Sequence, residues 1–261
     1  MALKTLDNSL EILKYFTKET PEWGVRELAR ELGISPSIVY RILLTFSKHG
    51  FLNKDENTNK YRLGLRFVEY GLIVQDRLKI SEIVNPKMNK LKDETGESVF
   101  LTFLDDLEGI CLSISRSSHD VKFEVTLGSR TPLYAGASAK VIMAYLPMED
   151  KELIIERGLK SWTDKTITES QVLLEDLKQI KKQKWTYSSG EYTRNVTGIA
   201  VPIFDYKGDI MGSLTLGAPN FRISGNNIDF LREKLEKTGS DIQAEIDRYR
   251  FNIEDIRSTI V

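Results

Sequence analysis

Ser35, Ser37, Tyr40, Arg41 and Lys48 are side chains that could read a polyanion, and their spacing from Ser37 onward places them on one helix face. Arg41 can offer a bidentate donor pair to guanine O6 and N7. Ser35 and Ser37 fall where a helix would begin, so backbone N–H groups and the positive helix end favour phosphate there. Tyr40 has an alternative use, packing against the helix that follows. Further on, Lys60 and Arg62 could hold a β-ribbon to the nucleic-acid backbone. Their alternative is plain solvation.

These residues need a frame, and Val25–Phe51 spells one: VRELARELGISPSIVYRILLTFSKHGF. Leu28, Ala29, Leu32, Ile34, Val39 and Ile42 give two short helices an inward face. Gly33 suits the sharp turn between them. Ser35 can cap the second helix, and Pro36 fits its first turn. Gly50-Phe51-Leu52 then starts a short strand, Asp55–Lys60 makes a polar turn, and Tyr61-Arg62-Leu63 runs back as a two-stranded wing. Between Ser35 and Arg66 six cations face two acids, a local +4 in a chain of net charge −1. Residues 1–80 carry +3 and the remainder −4. One end suits a polyanion and the other does not.

The bulk composition narrows the classes. The length of 261 residues suits two domains or one large one. Near-neutral charge argues against a protein that coats DNA. Cys111 is the sole cysteine, so no disulfide within the chain and no thiolate-rich metal site can form. No apolar run approaches the roughly 20 residues of a membrane span. The segment MALKTLDNSLEILKYF reads as an amphipathic helix, not a signal peptide, and a cytoplasmic protein without a membrane partner is expected. His49 and His119 fall in different predicted domains, and Cys111 has no motif partner. No phosphate loop, metal cluster or nucleophile elbow is present, so neither catalysis nor a cofactor is expected.

Along the chain, Leu6, Leu10, Leu13 and Phe16 predict a first helix capped by Asp7, and Thr20–Gly24 a turn. Leu65, Val68, Leu72, Ile73, Leu78 and Ile80 continue a helical pattern without a partner in the small domain. Asn85-Pro86 opens another helix, stopped at Gly96. From Ser98 the period becomes two, with strands over Ser98–Leu104, Ile110–Arg116 and Val121–Leu127. Ala135–Leu146 and Leu153–Arg157 are helical, and Thr168 with Gln171 forms a capping box before Val172–Lys182. Strands follow over Trp185–Tyr192, Thr197–Phe204 and Ile210–Leu216. Ser224 or Asn226 starts a last helix striped by Ile228, Leu231, Leu235, Ile242 and Ile246. Gly136-Ala137-Ser138 opens a helix after a strand, and small residues with free N–H groups there suit a carboxylate. Close helix–sheet packing would use the same residues. Arg130 and Lys140 could pair with a ligand but are expected in structural ion pairs, and Glu191 is expected to be a solvated or structural carboxylate.

Taken in order, four phrases resemble the IclR family of bacterial transcriptional regulators. Glu27–Gly64 looks like its winged helix-turn-helix, and Thr95-Gly96-Glu97 like the phrase after its linker. Gly128, Arg130, Pro132, Leu133, Ala135, Ala137 and Lys140 match its GxRxPLxAxAxGK signature. Ile199–Asp205 with Ala218-Pro219 and Arg222 looks like its VAxPVxD…GPxxR block. Two departures stand near the implied pocket: Ala139 replaces a glycine, and Gly217-Ala218 replaces Ser-Gly.

The resemblance implies an α+β chain. Residues 1–63 form the winged helix-turn-helix DNA-binding domain, 64–81 a linker helix, and 82–261 a GAF-like effector-binding domain with an antiparallel sheet flanked by helices. It implies a homodimer or a dimer of dimers on double-stranded operator DNA. A small-molecule effector, expected to be a carboxylic acid, would modulate operator affinity, with repression expected over activation. The DNA-binding residues are then Ser35, Pro36, Ser37, Tyr40, Arg41, Lys60 and Arg62. The effector residues implied are Gly136, Ala137, Ser138, Ser188, Val196, Gly198, Thr215 and Gly217. Two other readings stay open at this point: a GAF-like enzyme acting on a small metabolite, and a DNA-binding dimer without a ligand.

Overall fold

In the computed structural model, which describes residues 3–77, 80–223, 225 and 227–252, the chain divides into two units, Met1–Arg77 and Leu78–Val261.

The first unit runs α1 (Lys4–Leu13), β1 (Glu22–Trp23), α2 (Val25–Leu32), α3 (Pro36–Lys48), β2 (Leu52–Lys54), β3 (Tyr61–Leu63) and α4 (Arg66–Arg77). Gly33 ends α2 in the left-handed region at φ 64°, a conformation a side chain would strain, which lets α3 leave at a sharp angle. Pro36 sits in the first turn of α3 as expected. Ser35 holds the cap position, but its hydroxyl meets that of Ser37 at 2.9 Å instead of capping a backbone N–H. Ile12, Phe16, Leu28, Ala29, Val39, Ile42, Leu43, Leu52 and Tyr61 form the core.

Two expectations change here. Glu22-Trp23 is not merely a turn. It pairs with Arg62 and Tyr61, so the wing belongs to a three-stranded sheet of order β1-β3-β2. The Trp23 indole donates to the Tyr15 carbonyl at 2.7 Å and anchors that edge. In α1, Ile12 rather than Leu6 or Leu10 turns inward, and Leu3 replaces Asp7 at the helix start. Asp7 instead lies in the first turn, where a carboxylate favours the positive helix end. Leu3, Leu6 and Leu10 are left exposed, as are Leu65, Val68 and Leu72 at the start of α4.

The second unit begins with α5 (Ile80–Thr95), followed by β4 (Ser98–Asp105), β5 (Glu108–Ser115), β6 (Arg130–Pro132), α6 (Ala137–Met143), α7 (Met148–Glu156), α8 (Ser170–Gln183), β7 (Thr186–Ser189), β8 (Val196–Phe204), β9 (Ile210–Pro219) and α9 (Ile228–Tyr249). The six strands form one antiparallel sheet of order β6-β5-β4-β9-β8-β7. With the winged first unit this is the α+β architecture expected. Side chains alternate across the sheet. Val99 and Leu101 with Leu214, Leu216 and Val201 share the face met by α5 and α9, where Val201 closes on Gly239. Phe100, Thr215, Gly217, Gly198 and Ser188 share the other, beneath α6 and α8.

Pro86 lies inside α5 and does not open it. Val84, Met88 and Leu91 bury the helix on both sides of the proline, and Asn85 and Asn89 accept hydrogen bonds from Ser113 and Ser115 on β5. These contacts offset the hydrogen bond that proline removes. Val121–Leu127 forms no strand; the strand that pairs with β5 on that side is β6, at Glu108–Ile110. α8 starts without the expected Thr168 capping box, and Gln171 bonds Glu175 instead. The expected starts of α9 at Ser224 or Asn226, and Leu78 in the stripe after the wing, lie outside the described residues. Cys111 is buried, which pushes its thiol up to about 12 and leaves it inert as a nucleophile. No described helix is long and apolar enough to cross a membrane.

Candidate functional site

Two surfaces carry chemistry, one in each unit. In the first, α3 buries Val39, Ile42 and Leu43, which turns Ser37, Tyr40, Arg41 and Lys48 to solvent. Ser35 and Pro36 are exposed at its start. Leu44 shares this face and is 49% exposed. Sequence reading missed it because a leucine in an amphipathic helix is usually assigned to the core. On a groove-reading face it can meet a thymine methyl. The wing brings Lys60 and Arg62 into the same unit. Lys60 is partly engaged, 3.2 Å from Glu27, whose carboxylate also accepts the Gly24 N–H at 3.0 Å at the start of α2. That N–H and then Lys60 hold the Glu27 carboxyl below its usual range. At the wing tip, N–H groups of Thr58 and Asn57 do the same for Asp55 and fix the turn. Arg62, exposed on the central strand of the wing sheet, is the freer of the two as a candidate for a phosphate. Arg62→Ala should weaken binding to all duplexes alike and lower the salt slope of log K by about 1. Titrations at several salt concentrations check this. An unchanged slope removes Arg62 from the interface.

In the second unit, a cavity of about 60 Å³ lies between the sheet and the start of α6. Gly136, Ala137, Ser138, Ser188, Val196, Gly198, Thr215 and Gly217 all line it. Period two on β8 and β9 brings Val196, Gly198, Thr215 and Gly217 to one face, and β7 adds Ser188 by pairing with Gly198. The glycines make the space. A Cβ on Gly198 would sit 3.1 Å from that of Ala137, and one on Gly217 would meet Phe123 at 2.9 Å and Phe100 at 3.0 Å. The Thr215 hydroxyl is buried in this wall without a hydrogen-bond partner among the described residues. A buried hydroxyl left unpaired costs stability, so this atom invites a ligand or a water.

Sequence reading missed half of the lining. Phe123 reaches the cavity from the segment that forms no strand, and its ring lies 6.1 Å from that of Phe100. That segment is tied down at both ends of a short tether. Arg222 grips Glu97 through two hydrogen bonds of 2.7 and 2.8 Å and also donates to the Val121 carbonyl. Ser98 donates to the Phe123 carbonyl at 3.1 Å. Glu191, Tyr192 and Thr193 close another side. Thr163 and Thr166 hold their loop by donating to the carbonyls of Gly190 and Glu191 at 2.6 Å each. Burial pushes the Tyr192 phenol up.

One charged cluster borders the cavity. Lys140, 2% exposed on α6, donates to Asp176 and Glu191 at 2.8 Å each. Glu191 also accepts the Gly136 N–H at 3.4 Å. Lys140 is thus spent on structure, as expected. So is Arg130, which pairs with Asp105 and Glu108 at the sheet edge. Among the described residues no group of His, Cys, Asp and Glu could hold a metal ion.

Comparison with known proteins places each unit in a family. The family model for the IclR helix-turn-helix domain matches residues 5–56, and that for the bacterial transcriptional regulator IclR C-terminal domain matches 73–244. The chain is 30% identical over 244 residues to the HTH-type transcriptional regulator KipR of Bacillus subtilis (strain 168), covering 93% of this chain and 97% of that one. A putative IclR transcriptional regulator from Silicibacter sp. TM1040 superposes with a TM-score of 0.83 at 23% identity, covering 93% of this chain and 96% of its own. An IclR homolog from Microbacterium hydrocarbonoxydans, solved in complex with 4-hydroxybenzoate, gives 0.79 at 21% identity, covering 93% and 98%. These two structures bear on the fold alone.

Proposed function

The chain belongs to the IclR family of bacterial transcriptional regulators, and from that premise we propose that it is a one-component repressor whose operator affinity is set by a small carboxylic acid bound beneath α6. It is a DNA-binding regulator and not an enzyme, as the relatives are named. The observation that carries the effector reading is the unpartnered Thr215 hydroxyl in a cavity kept open by Gly198 and Gly217. A domain that served only to dimerise would have filled that space, since interiors pack densely. At about 60 Å³ the cavity admits a compact ligand, because one water needs roughly 10–15 Å³ of such space. The carboxylate of such a ligand would meet N–H groups at the start of α6 beyond that of Gly136, which Glu191 accepts, with Ser138, Ser188 and Thr215 orienting its remaining polar atoms. The complex of a distant homolog with 4-hydroxybenzoate is in keeping with an acid of this kind.

On DNA, Ser35, Pro36, Ser37, Tyr40 and Arg41 enter the major groove, and Lys60 and Arg62 hold the wing. Residues 1–63 read the operator, 64–81 link, and 82–261 sense. The chain works in the cytoplasm as a homodimer or a dimer of dimers. The exposed leucines of α1 and the start of α4 supply the apolar surface that a second copy would cover. Two copies present two recognition helices to half-sites one helical turn apart, or a multiple of it. The effector acts by preferring one arrangement of the dimer, and its differential affinity is the coupling.

A thermal-shift screen of small aliphatic and aromatic acids tests the sensing half. A ligand that binds only the native state at about 100 times its Kd adds roughly 2.7 kcal/mol. At least one acid should raise the melting temperature of the wild-type chain and fail to do so in Gly198→Val. Acids without effect on the wild type, or equal effects on both proteins, contradict the assignment.

A further inference from the structure

A second concavity, of about 140 Å³, opens where the end of α6 meets α7 and α8. Ala144, Met148, Leu174 and Leu177 make an apolar floor. Lys151, Lys178 and Lys181 stand around it, and among the described residues no carboxylate lines it. The arrangement follows from helix period: Gln171, Leu174, Lys178 and Lys181 fall on one face of α8, toward Met148 and Lys151 of α7. We propose that this groove binds a small amphiphilic anion, a carboxylate on a short apolar body, at a site separate from the cavity beneath α6.

Charge complementarity argues for that occupant. The Lys151 ammonium donates to the Ala144 carbonyl at 3.0 Å, a neutral acceptor. Lys181 lies over the Tyr145 ring at 5.7 Å, again without a formal counter-charge among the described residues. Desolvation and then the repulsion of Lys181 hold the Lys151 ammonium below its ordinary range. An anion placed among the three lysines offsets that repulsion and gives the desolvated Lys151 ammonium a counter-charge. Glu175, the acid one turn along α8, is bonded to the Gln171 amide at 2.9 Å. The floor gives the ligand its second requirement. Met148 and the leucines offer apolar surface, and the volume has room for roughly ten water-sized groups, enough for a body of several carbons. A concave site of this size fits a small molecule better than a flat peptide contact does.

Methionine-methyl NMR on the full chain reads this groove directly, because Met148 is the methionine that lines it. Octanoate below its micelle range should shift the Met148 signal saturably. Octylammonium should leave it in place. Lys178→Ala/Lys181→Ala, a change of two exposed residues, should weaken the octanoate response about tenfold. A Met148 signal indifferent to octanoate overturns the proposal. So does an equal response to octylammonium, or an octanoate response unchanged in the double variant. A Met148 shift that follows protein concentration instead of octanoate would assign the groove to a second copy, and would overturn it as well.

Discussion

Lys140→Met is expected to lower the stability of the second unit by about 3 kcal/mol, more than other single changes around the cavity. The substitution keeps the aliphatic bulk but leaves Glu191 and Asp176 without the ammonium they share at 2.8 Å. Glu191 is 12% exposed and cannot recover full hydration. Asp176, at 34%, recovers part of it, which places the cost at the lower end of that for breaking a buried pair. For a unit of this size the melting temperature should fall by roughly 6–12 °C. The paired variant Lys140→Met/Glu191→Gln should regain part of the loss, because the most buried charge is then gone. A fall of less than 2 °C in differential scanning calorimetry, a threshold set at about 1 kcal/mol, would mean that the cluster is not a support for the loop carrying Glu191, Tyr192 and Thr193.

Arg41→Ala is expected to weaken specific operator binding by about 1–3 kcal/mol, roughly 5- to 150-fold. Arg41 stands on the exposed face of α3 one position after Tyr40, and Val39, Ile42 and Leu43 fix that face by burying its opposite. A bidentate guanine contact predicts an unequal loss: large on an operator selected from random duplexes, small on unrelated DNA. Arg62→Ala should differ, with similar losses on both. Fluorescence titrations at one fixed salt concentration separate the two patterns. A loss below about twofold on the selected operator, where a good pair is worth at least about 1 kcal/mol, removes Arg41 from base readout.

What the sequence discloses follows from how local each signal is. The helix-turn-helix was legible because Gly33, Pro36 and the apolar spacing of α2 and α3 act within a few residues of themselves. The strand β5 was legible by alternation, and β4, β8 and β9 as short apolar runs bounded by turns. Glu22-Trp23 was not, since two residues carry no period, and its strand exists only through Arg62 and Tyr61 nearly forty positions away. Val121–Leu127 alternates like a strand, yet it joins no strand of the sheet and Phe123 is spent on the cavity. Pro86 looked like a helix start because the tertiary contacts that let a helix run through it are invisible locally. Glu27–Lys60 and Lys140–Glu191 likewise join residues far apart in the chain. The eight residues that line the cavity from the family resemblance are mainly small ones. The ring, carboxylate and phenol that shape the rest came from the structure.

Coupling between the cavity under α6 and the recognition helix is what the proposed function requires. Operator affinity measured by fluorescence anisotropy at fixed salt, with and without an acid that stabilises the native chain, tests it most directly. The expected result is a change in Kd of at least about fivefold, the lower end of ordinary allosteric coupling, in the wild type and none in Gly198→Val, whose added methyl groups meet Ala137 across the cavity. An operator Kd that ignores the bound acid in the wild type, or responds equally in Gly198→Val, would contradict it.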